Sequence, residues 1–441
     1  MSESFYTDTV RAGSEHLTTE ALRNTLAVVL AGGRGQRLGH LTERRAKPAI
    51  PFGGMFRVID FPLSNCINSG IRSVGVLSQY ESHILMQHLQ RGWNFLRADL
   101  NEFVELWPAQ QQAGSDAWYA GTADAVYQNL RLIEEQEADH ILILAGDHVY
   151  RQDYSRMLRE HLDRGTVATV ACIEVPIERA SSFGVMEVDH EGNVTRFLEK
   201  PSDPPAMPGR PDLALASMGI YLFEADFLIE ELERDALDPS SSHDFGKDIL
   251  PRLVEEHSLK AHRFSKSCVV NPGVDDLYWR DVGTIDAYWE ANLDLTSVVP
   301  SLDLYDERWP IRTFHESRPP AKFVFDETFR RGMAVGSLIS AGSIVSGSTV
   351  RRSLLGMDVR VHSYCIIEDS VIMGETEIGR GCRLRRTIVD THCRLPPGLI
   401  VGEDPELDAQ RFHRTPGGIT LVTRPTLEAL CEAAEGSERP R

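Results

Sequence analysis

Six consecutive apolar residues, 26–31 (LAVVLA), run straight into Gly32, Gly33, Arg34 and Gly35. An unbroken apolar run of this length, stopped by glycines, reads as a strand buried on both faces of a parallel sheet. Glycines let the chain turn sharply and bring backbone N–H groups close to an anion with no Cβ in the way. Arg34, Arg37, Arg44, Arg45 and Lys47 follow within fourteen residues, opposed only by Glu43. In a chain of net charge −19 such a cluster needs a reason. The reading is a polyphosphate cradle at the carboxyl end of the first strand. The spacing is not GxxxxGK[ST], because no Lys-Ser or Lys-Thr follows the loop. Nor is it GxGxxG, because Leu38 stands where the last glycine belongs.

The remaining bulk properties narrow the field. A length of 441 residues suggests two or three domains. The acidic balance argues against general nucleic-acid or anionic-membrane partners and requires a local positive site for any anionic substrate. No run of apolar residues is long enough to span a membrane, and the first residues carry Glu3, Asp8 and Glu15 rather than a signal-peptide pattern. Seven widely spaced cysteines with no CxxC point to reduced thiols and a cytoplasmic location. The histidines show no zinc spacing.

Residues 1–24 read as a polar N-terminal arm. From residue 25 strand-like runs at 26–31, 74–77, 141–145 and 167–175 alternate with helix-like stretches such as 82–91 and 122–135, the latter with Thr122 as its N-cap. This alternation predicts βαβ units and an α/β, Rossmann-like domain over 25–297 with a mainly parallel mixed sheet. Ligands of such sheets bind outside the carboxyl ends of the strands, which puts the glycine loop and Gly146-Asp147 on one rim. Regular periodicity stops over 298–330, a proline-rich linker. Beyond it, over 331–441, aliphatic residues recur near every sixth position: Leu338, Ile344, Val350, Val361, Ile367, Ile372, Ile378, Leu384, Val389, Leu395 and Val401. That is the hexapeptide pattern of a parallel β-helix, here of about four coils, followed by a strand near 419–423 and a helix near 425–434.

Several residues stand where chemistry needs them. Asp147 ends the apolar run ILAGD, so its carboxylate is exposed at a strand's carboxyl end beside the cradle, a natural place for a Mg²⁺ ligand. Asp281, in WRDVGT, is the second carboxylate of the reading. Glu199 and Lys200, in FLEKP, suit sugar hydroxyls and a sugar phosphate respectively. Gly184 would let a flat sugar ring approach closely, Ser217 offers a small hydroxyl, and Tyr119 sits in an aromatic loop entering a helix.

In combination these stretches resemble bacterial glucose-1-phosphate adenylyltransferases, the ADP-glucose pyrophosphorylases. GGRGQRL at 32–38 with Lys47-Pro48 is similar to the signature of sugar-nucleotide pyrophosphorylases. PAQQ at 108–111, WYAGTADA at 118–125, AGDH at 145–148, FGVM at 183–186, EKP at 199–201, DFGKD at 244–248 and YWRDVGT at 278–284 extend the likeness over about residues 24–425. The resemblance implies a nucleotidyltransferase domain followed by a left-handed β-helix, assembled as a homotetramer. It implies that ATP and glucose 1-phosphate give ADP-glucose and pyrophosphate in α-glucan (glycogen) synthesis. It further implies that Arg37 and Lys47 hold ATP phosphates, that Gly32, Gly33, Gly35 and Gln111 belong to the substrate-binding set, and that Asp147 and Asp281 hold Mg²⁺. Tyr119, Gly184, Glu199, Lys200 and Ser217 would then bind the glucose phosphate or ADP-glucose. Small anionic metabolites would regulate the enzyme at Arg44, Arg45, Arg57 and Arg424. Two departures, Arg44 in place of a lysine and Pro51 in place of a histidine, point away from a sugar bisphosphate. Glu135, in place of an arginine, points to weak AMP inhibition. Adenine rests on resemblance alone, so a UDP- or dTDP-glucose pyrophosphorylase stays open. A non-catalytic regulatory subunit would predict losses at Arg37, Lys47, Asp147 or Lys200, and all four are present.

Overall fold

In the computed structural model, which describes residues 18–33, 35–109, 118–271 and 277–437, the strand Thr25–Leu30 lies inside a nine-stranded sheet. It pairs in parallel with Ser73–Ser78 on one side and His140–Ala145 on the other. Its side chains alternate between two cores, Ala27 and Val29 into one and Leu26 and Val28 into the other. Burial on both faces is why the run is apolar without interruption. Phe103–Pro108 adds a parallel edge. The other half of the sheet is antiparallel. Leu213–Glu224 pairs with His140–Ala145, Ala168–Pro176 and Gly184–Val188, and Val194–Glu199 closes that edge. Leu259–Arg263 lies parallel to Ala168–Pro176. A two-stranded ladder, His148–Tyr150 with Trp279–Asp281, stands at the rim where the parallel strands end.

The expected strands match to within about two residues, but the expected helix over 122–135 is two pieces, Thr122–Tyr127 and Leu130–Glu134. Asn129 sits at the break. Its side-chain amide donates to the Ala125 carbonyl at 2.8 Å and to the Tyr119 hydroxyl at 3.0 Å, a local alternative to the helical ladder. Thr122 is not a cap either. Gly121 occupies that position, and the Thr122 hydroxyl donates to Asp244 at 3.0 Å and accepts from the Phe245 N–H.

The C-terminal part is a parallel β-helix of three sheets. Coils repeat every 16 or 17 residues rather than eighteen, as in the ladders Val345–Val361–Ile378–Leu395 and Val350–Ile367–Leu384–Val401. There are five coils where about four were expected. The first begins at Lys322–Val324, which pairs with Ile344–Ser346, so the expected linker 298–330 contributes a strand. The fifth coil takes its third side from the tail strand Thr420–Val422, after the helix Pro405–Arg411. On the second coil the buried residue is Val345, not Ile344, and Leu338 on the open first coil is half-buried.

The third sheet differs from the other two. Its strands carry apolar pairs, Leu354-Leu355, Val371-Ile372, Ile388-Val389 and Leu421-Val422, buried on both faces. Leu355, Ile372, Val389 and Val422 fill the β-helix interior. Leu354, Val371, Ile388 and Leu421 face outward onto Phe52, Phe61, Tyr288 and Leu295 of the first domain. The helix Ile285–Asp294 fastens this contact. The Trp289 indole donates to the Asp369 carbonyl at 2.8 Å, and Thr415 donates to Asp286 at 2.7 Å. No described helix is long and apolar enough to cross a membrane. Among the described residues all seven cysteines are free, and six are buried.

Candidate active site

The strands Thr25–Leu30, Ser73–Ser78 and His140–Ala145 end at one rim, and a cleft of about 660 Å³ opens there. Gly32, Gly33, Gly35, Arg37, Lys47, Tyr119 and Asp147 all line it. Gly35 is the position where glycine is demanded. Its φ of 60° is left-handed, and a Cβ there would lie 3.0 Å from Thr42 and 3.2 Å from Lys47. The loop continues into a 3₁₀ segment, Gln36–Thr42, tied down by the Thr42 hydroxyl donating to the carbonyls of Gly35 and Gly39.

Lys47 is the electrostatic centre. Its ammonium donates to Asp147 Oδ2 and Asp281 Oδ1, each at 2.8 Å, and its side chain is only 6 % exposed. Arg37 adds a longer contact to Asp281 Oδ2 at 3.6 Å. Burial alone would pull the Lys47 pKa down, but the two carboxylates outweigh it and raise it. Burial likewise pushes Asp147 up, and the Lys47 charge with the neighbouring His148 reverses this, so the carboxyl sits well below the ordinary range. Both groups are therefore ionised at neutral pH. Two carboxylates from different elements, converging on one cation, are a hard oxygen donor set that fits Mg²⁺.

The residues read for the sugar phosphate form a second group, joined to the cleft through Tyr221, Gly219 and Asp244. Ser217 Oγ accepts from the Gly219 N–H at 3.3 Å. The Tyr221 hydroxyl, raised above its ordinary pKa by burial, meets Ser217 and feels the charges of Glu199 and Asp244. Lys200 donates to Glu199 at 2.6 Å from a backbone with φ of 47°, a conformation a lysine rarely adopts. A Cβ on Gly184 would lie 2.6 Å from the Phe197 ring and 2.9 Å from Glu199 Oε2. The small size of Gly184 thus makes room for the Glu199 carboxylate itself. Gln111 lies outside the described residues.

Three neighbours of these groups were given no role in the sequence: Tyr221, and Asp244 and His148, which stand in the DFGKD and AGDH stretches. Tyr221 is hidden in an apolar strand. Asp244 takes its place from the Thr122 contact, which no local pattern announces. His148 follows Asp147 directly and lies with it and Asp281 in one cluster of potential metal donors.

The four arginines read as an effector site also meet. Arg44, Arg45, Arg57 and Arg424 line one cleft of about 400 Å³ between the two domains. Arg45 donates to Asp390 at 2.6 Å and to Thr391 at 3.2 Å. Arg57 is held on the Ala49 carbonyl at 2.5 Å, its pKa lowered by burial. Arg424 pairs with Glu428 at 2.8 Å on its own helix. Among the described residues Arg44 has no ion-pair partner and is exposed.

Residues 26–298 match the Nucleotidyl transferase family, and residues 319–422 match the GlmU-like, C-terminal hexapeptide family. The chain is similar to the glucose-1-phosphate adenylyltransferase of Paramagnetospirillum magneticum, 60% identical over 93% of this chain and 96% of that one. The enzyme of the same name from Rhodospirillum rubrum is 60% identical over 93% and 97%. That from Granulibacter bethesdensis is 57% identical over 94% and 99%.

Proposed function

The chain belongs to the glucose-1-phosphate adenylyltransferases, and from that premise we propose how its residues divide the work of joining ATP to glucose 1-phosphate. The reaction gives ADP-glucose and pyrophosphate. Its nucleophile is a phosphate oxygen of the sugar phosphate. The second pKa of a phosphate is near 6, so the group arrives largely deprotonated and no general base is required. The protein's task is to bring two polyanions together and to stabilise the charge that gathers on the departing pyrophosphate, a task of positioning and electrostatics.

The glycine loop and Arg37 receive the ATP phosphates. Lys47, held between two carboxylates, is positioned to turn its charge onto the nucleotide. Asp147 and Asp281 would hold Mg²⁺, which supplies charge neutralisation for the leaving group when bound. Lys200 meets the sugar phosphate, Glu199 and Ser217 the sugar hydroxyls, and Tyr119 contacts the glucose phosphate or the ADP-glucose formed from it. The observation that carries this reading is the Lys47 ammonium lying 2.8 Å from each carboxylate at the mouth of the glycine loop. The test is pyrophosphate release with glucose 1-phosphate and each of ATP, UTP, dTTP and GTP. Turnover with ATP at least about 10²-fold above the others is expected, and an equal rate with UTP or dTTP would overturn the choice of base.

The interdomain arginines are the seat of regulation in this proposal. One guanidinium, Arg44, has no ion-pair partner among the described residues while Arg45, Arg57 and Arg424 are engaged, which suits a metabolite with a single anionic head such as fructose 6-phosphate or pyruvate. The enzyme works as a cytoplasmic homotetramer feeding α-glucan synthesis.

A further inference from the structure

We propose that His148 is the third protein donor of the divalent-cation site, and that its ring nitrogen tilts the site toward Mn²⁺ or Co²⁺ over Mg²⁺. The inference rests on the reading that Asp147 and Asp281 hold a divalent cation. His148 opens the strand His148–Tyr150 and is the register partner of Asp281 in the opposite strand. Directly opposed residues of an antiparallel ladder project their side chains to the same face. The imidazole and the Asp281 carboxylate therefore stand side by side, and Nε2 lies 3.5 Å from Asp147 Oδ1. One donor atom from each of Asp147, His148 and Asp281 falls within 4.8 Å of the other two.

The ring is held in this attitude from behind. It packs edge-on against Trp279 with centroids 4.9 Å apart, and its side chain is 13 % exposed. Nδ1 is buried and, among the described residues, has no hydrogen-bond partner. The polar outlet of the ring is thus Nε2, on the carboxylate side. A separation of 3.5 Å is too long for a strong hydrogen bond, so Nε2 is not committed to Asp147. Carboxylates alone suit Mg²⁺, whereas an imidazole nitrogen adds affinity for later first-row cations.

The experiment uses the full chain without nucleotide and Mn²⁺ as the probe. Pulsed EPR of bound Mn²⁺ reads nitrogen coupling directly, and Mn²⁺ titration with Mg²⁺ competition reads affinity. Coupling to one imidazole nitrogen is expected in the wild type. His148→Gln should lose the coupling and bind Mn²⁺ about 10-fold more weakly, with Mg²⁺ affinity changed by less than about twofold. His148→Phe keeps a ring against Trp279 and should give the same result if the glutamine variant folds poorly. Bound Mn²⁺ with no nitrogen coupling in the wild type, or coupling that persists in both variants, would overturn the role of His148 alone. Mn²⁺ binding that is absent, or is unchanged in Asp147→Asn and Asp281→Asn, would overturn the cation reading and this inference with it.

Discussion

Arg45 and Lys47 are separated by a single residue and serve different sites: Arg45 donates to Asp390 of the β-helix at 2.6 Å, and Lys47 donates to Asp147 and Asp281 of the catalytic cleft at 2.8 Å. Both side chains are nearly buried, 9 % and 6 % exposed. Segment 44–47 therefore forms a wall of the interdomain cleft at one end and of the active site at the other. A ligand that rearranges the arginines acts on a backbone that also positions the active-site lysine.

Effector response should follow from this. The interdomain cleft also holds Arg91, and its five arginines are matched one for one by Glu43, Glu316, Asp358, Glu375 and Asp390, so it has no surplus positive charge to receive a second phosphate. A metabolite with one anionic head should activate more than a sugar bisphosphate, and AMP should inhibit weakly. Arg44→Ala should abolish activation while leaving the rate without effector within about twofold, since an exposed, unpaired side chain contributes little to stability. The check is an effector panel on both proteins. Strong bisphosphate activation, or a response untouched by the substitution, would sink the proposal.

Asp147→Asn keeps the shape of the side chain and removes the charge that faces Lys47. The kcat should fall by more than about 10²-fold, as expected when transition-state electrostatics are lost, with both KM values little changed. Steady-state kinetics on a variant shown by circular dichroism to be folded decides this. Near-normal turnover would remove Asp147 from the mechanism.

Lys200→Ala tests the sugar-phosphate side. A charge-assisted hydrogen bond is worth roughly 1.5–3 kcal/mol, so KM for glucose 1-phosphate should rise about 10- to 150-fold. KM for ATP should stay near the wild-type value. An equal loss for both substrates would mean that the left-handed Lys200 backbone is what the site needs, not its ammonium.

Stability should decline on the acid side through His161. Its ring is buried, donates or accepts at Thr169 Oγ1 at 2.8 Å, and lies edge-on to His140 with centroids 5.6 Å apart. Burial, and then the His140 charge, lower its pKa to about 3 from the ordinary 6.5. The unfolded chain thus binds a proton that the folded one refuses. The stability that depends on a neutral ring is fully present above pH 6.5 and is lost as pH falls toward 3. The slope is about 1.4 kcal/mol per pH unit while only the unfolded form is protonated. Thermal unfolding between pH 7 and 4 should show this slope reduced in His161→Leu, and an unchanged slope would assign acid sensitivity elsewhere.

Much of this was legible in the amino-acid order because it rests on local demands. A strand buried on both faces cannot carry polar residues, and Gly35 cannot carry a side chain, so both leave marks in sequence. The rest depends on partners far along the chain. Asp244 is placed by Thr122 and His148 by its pairing with Asp281. The break at Asn129 comes from its bond to Tyr119. The first coil does not show the hexapeptide pattern because, among the described residues, no further strand stacks on its open end. There Phe323 is exposed at the register position of Val345, the buried aliphatic of the next coil.

The doubled aliphatic pairs of the third sheet bind the fates of the two halves together. Residues such as Val371 and Ile388 are interior to the whole molecule while belonging to the surface of the β-helix taken alone. A catalytic half cut free would present Phe52, Phe61 and Tyr288 to water, and a severed β-helix would present a greasy flank along its length. Neither fragment has a reason to be soluble. A cleft built on such a seam can shift in angle but not come apart, which is the mechanical condition for passing a signal across it.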